Sequence, residues 1–142
     1  MVTIDNIPYE FKRLHRFEQI ASELLDKPTS SFKHFAFITR GTRILSIGWN
    51  DLKAKSFKIV TDNEYCFNVK YPLGGLHAEA NAIKNMLDLN DCRKSTLISI
   101  RLSNEGKLRN GCPCEDCMRV IETVGIKRIY YSMNDGFCKI RL

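Results

Sequence analysis

Leu76-His77-Ala78-Glu79-Ala80-Asn81-Ala82-Ile83 and, further along, Cys112-Pro113-Cys114-Glu115-Asp116-Cys117 are the two stretches on which the reading of this chain turns. Each reads as a helix entrance. Ala78, Ala82, Ile83, Met86 and Leu87 fall at helical apolar spacing, which predicts a helix over residues 77–89. Proline is favoured in a first helical turn, so Pro113 opens a second helix that runs to Val124, with Gly125 as its cap. Cys114 and Cys117 stand three apart and share a face of that first turn. The partial positive charge at a helix N-terminus lowers a cysteine pKa and favours the thiolate that a metal needs. His77 opens the other helix, and Glu79, two residues on, points away from the imidazole.

The two halves offer His77, Cys114 and Cys117 as metal ligands, with the Glu79 carboxylate beside them. Three protein ligands leave one tetrahedral position of a zinc ion to water, which separates a catalytic zinc from a structural one. One zinc per chain would bring the pKa of that water toward neutrality. Glu79 would take its proton as general base and return it as general acid. A lone His-x-Glu carries no information, and a lone Cys-x-x-Cys suggests zinc or a thiol redox pair. Their conjunction at two helix starts is specific. Cys112 lies before the proline and outside the helix, and reads as a packed thiol, with ligand substitution the alternative.

Towards the N-terminus, residues 10–25 carry Phe11, Leu14, Phe17, Ala21 and Leu24 on one helical face, and Pro28 with Thr29-Ser30-Ser31 stops that helix. Residues 34–39 and 43–48 are strand-like and flank the turn Arg40-Gly41-Thr42, so they form an antiparallel hairpin. Residues 51–75 show no sustained period; a segment that long is either functional or hides an element. Towards the C-terminus, residues 95–102 form a third strand, residues 103–111 a polar loop, residues 127–132 a fourth strand and residues 137–142 a fifth. Met133-Asn134-Asp135-Gly136 is too short for the crossover of about a dozen residues that a parallel pair requires. If adjacent, the fourth and fifth strands are therefore antiparallel. The expected fold is α/β, a mixed five-stranded sheet with three helices, in a single domain over residues 1–142.

The composition is that of an ordinary globular protein, and no stretch of about 18 apolar residues spans a membrane. Met1-Val2-Thr3-Ile4-Asp5 lacks the basic start and apolar run of a secretion signal, so a cytoplasmic protein is expected. Of the six cysteines, three crowd into residues 112–117, which suits metal binding better than a disulfide framework. Cys66, Cys92 and Cys138 read as small buried hydrophobes. The net charge of +6 and pI near 9.1 fit either a solvated basic surface or an anionic substrate.

These residues resemble the cytidine and deoxycytidylate deaminase superfamily. The resemblance runs from about Phe11 to Leu142 and is most specific at His77-Ala78-Glu79-Ala80-Asn81-Ala82-Ile83, at Pro113-Cys114-x-x-Cys117, and at residues 124–131. Gly48-Trp49-Asn50 also matches. The resemblance implies a cytidine deaminase-like fold, zinc as cofactor and hydrolytic loss of ammonia from a nucleobase. It also implies that Asn50 contacts the substrate's sugar, against the plainer reading of a turn residue leaving a strand. The backbone N–H groups of Ala78 and Cys114 would assist at the pocket. Family members often assemble through helix surfaces near the zinc site, which implies a homo-oligomer.

Two departures bear on the substrate. The segment 103–112 inserts length before the second zinc helix and carries Lys107, Arg109 and Asn110, either as phosphate contacts or as a solvated loop. The short link between the last two strands resembles free cytidine deaminases and certain bacterial toxin deaminases, whereas the text around His77 and Gly125 resembles deoxycytidylate deaminase. The leading expectation is a zinc hydrolase acting on a free cytosine nucleoside or nucleotide. The alternative is a deaminase of cytosine or adenine within single-stranded DNA or RNA, for which the bases and aromatics of residues 51–75 would form a stacking groove.

Overall fold

Side chains along His34-Phe35-Ala36-Phe37-Ile38 alternate between the two faces of a sheet, and the two faces bury different partners. The computed structural model describes residues 3–6, 11–24, 33–51, 57–60, 66–69 and 76–142. Strand β1 (Thr3–Asn6) and helix α1 (Phe11–Glu23) precede the hairpin of β2 (Lys33–Arg40) and β3 (Arg43–Trp49). A second hairpin, β4 (Phe57–Val60) and β5 (Cys66–Val69), leads to helix α2 (Ala78–Lys84). Strands β6 (Thr96–Leu102) and β7 (Leu108–Arg109), helix α3 (Glu115–Thr123) and strands β8 (Arg128–Met133) and β9 (Gly136–Arg141) complete the order.

The main sheet runs β1-β9-β8-β6-β2-β3, with β7 paired to β6. Among the described strands only β6 and β8 are parallel, joined through α3; every other pairing is antiparallel, β8 with β9 included. Phe35 and Phe37 pack with Leu14, Phe17 and Ala21 of α1 on one face. Ala36 and Ile38 pack with Ala78, Ala82 and Ile83 of α2 and Ile121 of α3 on the other. The sheet is thus a middle layer, and burying both faces yields about 25 cal/mol for each Å² of apolar surface removed from water.

The mixed α/β fold and the antiparallel fourth and fifth strands hold, but the sheet has seven strands rather than five. β1 adds an edge against β9, and its four residues are too few for a readable alternation. β7 lies inside the expected loop 103–111: Leu108 is buried and draws the chain back along β6 through a turn at Gly106, φ 84°. The segment 51–75 does hide an element, the β4–β5 hairpin, while residues 52–56, 61–65 and 70–75 lie outside the described ones. So do residue 25 and the Pro28 stop of α1, and the side chain of Phe11.

Helix α2 ends at Lys84, not Leu89, and Leu87 is fully exposed at 102%. The C-terminal half of the helix is tied to β3. Asn81 Nδ2 donates to Trp49 O at 3.0 Å and Asn85 Nδ2 to Ile47 O at 3.2 Å, while Ser46 Oγ donates to Ala82 O at 2.6 Å. Asp88 then caps a short 3₁₀ turn, Leu89–Lys94, accepting from Asn90 N at 2.9 Å. Helix α3 starts at Glu115, two residues after the expected Pro113, with Cys114 as N-cap; Gly125 follows in the left-handed region at φ 91°. Among the described residues no helix is long and apolar enough to cross a membrane.

Gly48 is where α2 meets the sheet. A Cβ there would overlap the Ala78 carbonyl oxygen and the Ala82 nitrogen, both helix backbone that cannot rotate away. Gly48→Ala should lower stability by about 1–3 kcal/mol, the usual cost of overpacking, or more. It should also weaken zinc retention, because α2 carries His77. Thermal melting together with metal content after dialysis checks this, and an unchanged melting temperature would contradict the close seating.

Candidate metal centre and active site

His77 immediately precedes α2, as its N-cap in extended conformation with φ −68° and ψ 161°. The segment entering it is fixed by a two-way backbone bridge: Asp51 N donates to Leu76 O at 3.0 Å and Leu76 N to Asp51 O at 2.9 Å. Cys114 caps α3, its Sγ accepting from Cys117 N at 3.5 Å, so both cysteines of the pair point to one side of the helix start. Since α2 and α3 pack against each other on one face of the sheet, the two helix entrances converge.

At the convergence, His77 Nδ1 lies 3.5 Å from Cys114 Sγ and 3.4 Å from Cys117 Sγ, and the three ligand atoms fall within 4.8 Å of one another. A tetrahedral zinc with Zn–S of about 2.3 Å and Zn–N of about 2.0 Å sets sulfur and nitrogen about 3.5 Å apart. The side chains therefore already have the separations that such an ion imposes. Two thiols and an imidazole also form a donor set of the softness zinc prefers. The Cys114 thiol is brought down to about 5 from an ordinary value of 9.0, first by its hydrogen bond with the Cys117 thiol and further by the Cys117 backbone N–H and His77, against the effect of burial. Buried Cys92 goes the other way, pushed up to about 11 by desolvation and by Asp91 and Asp88.

Glu79 sits in the first turn of α2 and is 1% exposed. Its Oε1 is buried and has no hydrogen-bond partner among the described residues; His34 Nε2 is 3.5 Å away. A buried carboxylate oxygen left unpaired is costly unless a ligand or water completes it. Ala78 follows His77 as the first residue of α2 and is fully buried. Asn50 is tied to β2, its Oδ1 accepting from His34 N at 3.2 Å while its own N donates to His34 O at 3.3 Å. It thus bridges the strand carrying His34 and the Asp51–Leu76 link that leads to His77.

Arg109 stands apart from the three ligands. It is exposed on β7, its Nη1 donating to Leu108 O at 3.0 Å, and it lines a groove of about 440 Å³ with Arg101, Ser103, Asn104, Asn110 and Asn134. Among the described residues, no acidic one lines that groove. Lys107 is exposed outside it. Cys112 is exposed, not packed as expected: Asn110 Oδ1 accepts from its N–H at 2.9 Å, and this turn leaves Pro113 as the residue that fills the interior. Of the scattered cysteines, Cys92 is buried, Cys138 half-buried, and the Cys66 side chain lies outside the described residues.

Sequence reading passes over His34, Ser99 and Gly111, which meet beside Glu79. A histidine amid apolar strand residues was the available signal. Ser99 and Gly111 carry none, because their role depends on strands distant in the chain. Burial holds the His34 imidazole below its ordinary pKa of 6.5, with Arg101 and His77 acting in the same direction and Glu79 against.

The chain matches the cytidine and deoxycytidylate deaminase zinc-binding region over residues 12–133. A crystal structure of the dCMP deaminase from the cyanophage S-TIM5 in apo form is similar, at 23% sequence identity over 87% of this chain and 82% of that chain, with a TM-score of 0.50. A second structure of that enzyme, in complex with dCMP and dUMP, also matches at 23% identity over 87% of this chain and 77% of that chain, with a TM-score of 0.42. No curated protein matches significantly.

The lowered Cys114 thiol makes a direct prediction. In metal-free protein near pH 7, Cys114 should be thiolate and react first with iodoacetamide, and zinc should protect it. The reaction should fall off as pH drops through about 5, where the proton returns to sulfur. Peptide mapping after brief alkylation reads the order, and Cys92 labelled before Cys114 would contradict it.

Proposed function

Since the chain belongs to the cytidine and deoxycytidylate deaminase family and is thereby a zinc-dependent deaminase, we propose that it hydrolyses the exocyclic amine of a free cytosine nucleotide, a monophosphate rather than a bare nucleoside. The observation that carries the reading is the Glu79 carboxylate: buried, with an oxygen lacking a hydrogen-bond partner among the described residues, and two residues from an imidazole that faces a thiol pair. When held by His77, Cys114 and Cys117, zinc supplies a Lewis acid that makes water nucleophilic near neutral pH. Glu79 receives the proton of the attacking water and delivers it to the departing nitrogen. Ala78 presents a backbone N–H at the start of α2, where helical donors have no intrahelical acceptor, and so is suited to hold the base carbonyl. Asn50, fixed to β2 through its Oδ1, presents its amide to the sugar.

The preference for a phosphate is supported by the groove in which Arg101 and Arg109 stand together with Asn104, Asn110 and Asn134. Arginine pairs with phosphate through two parallel hydrogen bonds. The same groove is what a single-stranded polynucleotide would follow, so an oligonucleotide belongs in the substrate panel beside cytidine, deoxycytidine and their monophosphates.

Glu79→Gln should keep one zinc per chain and lose at least about 10²-fold in ammonia release, the usual weight of a general acid–base group. Near-normal turnover by that variant would remove the role assigned to Glu79. Arg109→Ala should raise KM for the monophosphate about tenfold or more, the cost of a charge-assisted hydrogen bond, and leave KM for the nucleoside unchanged. Equal effects on both substrates would argue against a phosphate contact. Conversion of the oligonucleotide alone would overturn the free-nucleotide reading.

A further inference from the structure

His34 lies on β2 with its side chain 17% exposed, on the strand face that packs against α2 and α3. Its Nε2 is 2.6 Å from Ser99 Oγ, which is itself 2.6 Å from Gly111 O. A carbonyl oxygen has no proton to give, so the single hydroxyl proton of Ser99 goes to Gly111. The short contact with His34 then requires the proton to come from the imidazole. His34 is thereby held as the tautomer with hydrogen on Nε2. Among the described residues, the next acceptor in reach of that hydrogen is Oε1 of Glu79 at 3.5 Å, which has no hydrogen-bond partner there.

We propose that His34 is the positioning residue for Glu79: its Nε2–H, anchored on Ser99 Oγ, also faces Glu79 Oε1 and holds the carboxylate in place. Ser99 stays in place because Gly111 O accepts from its hydroxyl, so the imidazole is held facing the carboxylate. The arrangement needs the buried serine, since an acceptor free to rotate away would let the imidazole turn from Glu79. It also ties the halves of the site together. Gly111 leads directly into Cys112-Pro113-Cys114, so the chain Glu79–His34–Ser99–Gly111 runs from the carboxylate helix to the thiol helix across strands β2 and β6. The inference rests on the reading of Glu79 as the proton carrier, and on no particular substrate.

The test has two arms. In the first, His34→Leu, His34→Gln and Ser99→Ala are compared with wild type on the best substrate of the panel, each after its zinc content and melting temperature have been measured. With zinc retained, His34→Leu should lower kcat about tenfold or more and change KM little, because a donor to a charged group is lost. His34→Gln keeps an N–H donor and should recover most of the loss. An unchanged kcat in His34→Leu, or a glutamine variant no better than leucine, overturns the proposal. In the second arm, nitrogen-15 spectra of the imidazoles are recorded without substrate for wild type and Glu79→Gln. Neutral His34 protonated on Nε2, with a resonance that moves in Glu79→Gln, is expected. The other tautomer, or a resonance indifferent to residue 79, overturns it. If wild type releases ammonia from nothing in the panel, the substrate reading falls and the spectra alone decide on His34.

Discussion

The structure depends on how closely α2 lies on β3. Gly48 has no side chain where the helix backbone passes, and Ser46, Asn81 and Asn85 join helix to strand through hydrogen bonds to main-chain carbonyls. Contact between two backbones is stiffer than contact between side chains, because no rotamer can relax it. That stiffness reaches the chemistry by the shortest route: His77 caps this helix and Glu79 lies in its first turn. A shift of α2 along the strand would move imidazole and carboxylate together relative to the thiols.

The thiol half is held by a different device. Loop 109–112 is fastened to the middle of the sheet by small polar groups at zero exposure: Ser132 Oγ donates to Arg109 O at 2.7 Å, Gly111 N donates to Ser132 O at 2.8 Å, and Ser99 Oγ donates to Gly111 O. Buried hydroxyls cost stability unless paired, and both serines are paired. A Cβ on Gly111 would press on Ser132 Oγ and Ser99 O, both 2.9 Å away, so this loop too is seated by the absence of a side chain. Cys114 then starts α3 from a fixed point, and the parallel pair β6–β8 with its helical crossover sets the direction in which that helix leaves.

Much of this was legible in the sequence. Period-two runs mark β2, β3, β6, β8 and β9 within a residue or two, because each is long enough to alternate. The four-residue strand β1 and the two-residue strand β7 are not; β1 is completed only by β9 at the far end of the chain, and β7 by folding back on β6. The helix at residues 77–89 was read too long because apolar spacing continues to Leu87. Spacing is blind to Asn85 turning its amide toward β3, and Leu87 ends in solvent. Cys112 was misread for a similar reason: whether a thiol or the adjacent proline faces inward is decided by the Asn110 turn.

What the sequence determined by itself is the inventory of the site. His77, Glu79, Cys114 and Cys117 are declared by residue type and local spacing, since a helix start imposes its geometry on the three or four residues that form it. Only the tertiary structure decided that the two helix starts face each other at zinc-ligand separations, that Arg109 lies in a groove apart from the ligands, and that His34 stands against Glu79. Those relations join residues 34, 79, 99 and 111 across strands and helices far apart in the chain. No local pattern encodes a distance between segments; it is set by which strands pair and by how closely α2 and α3 lie on the sheet.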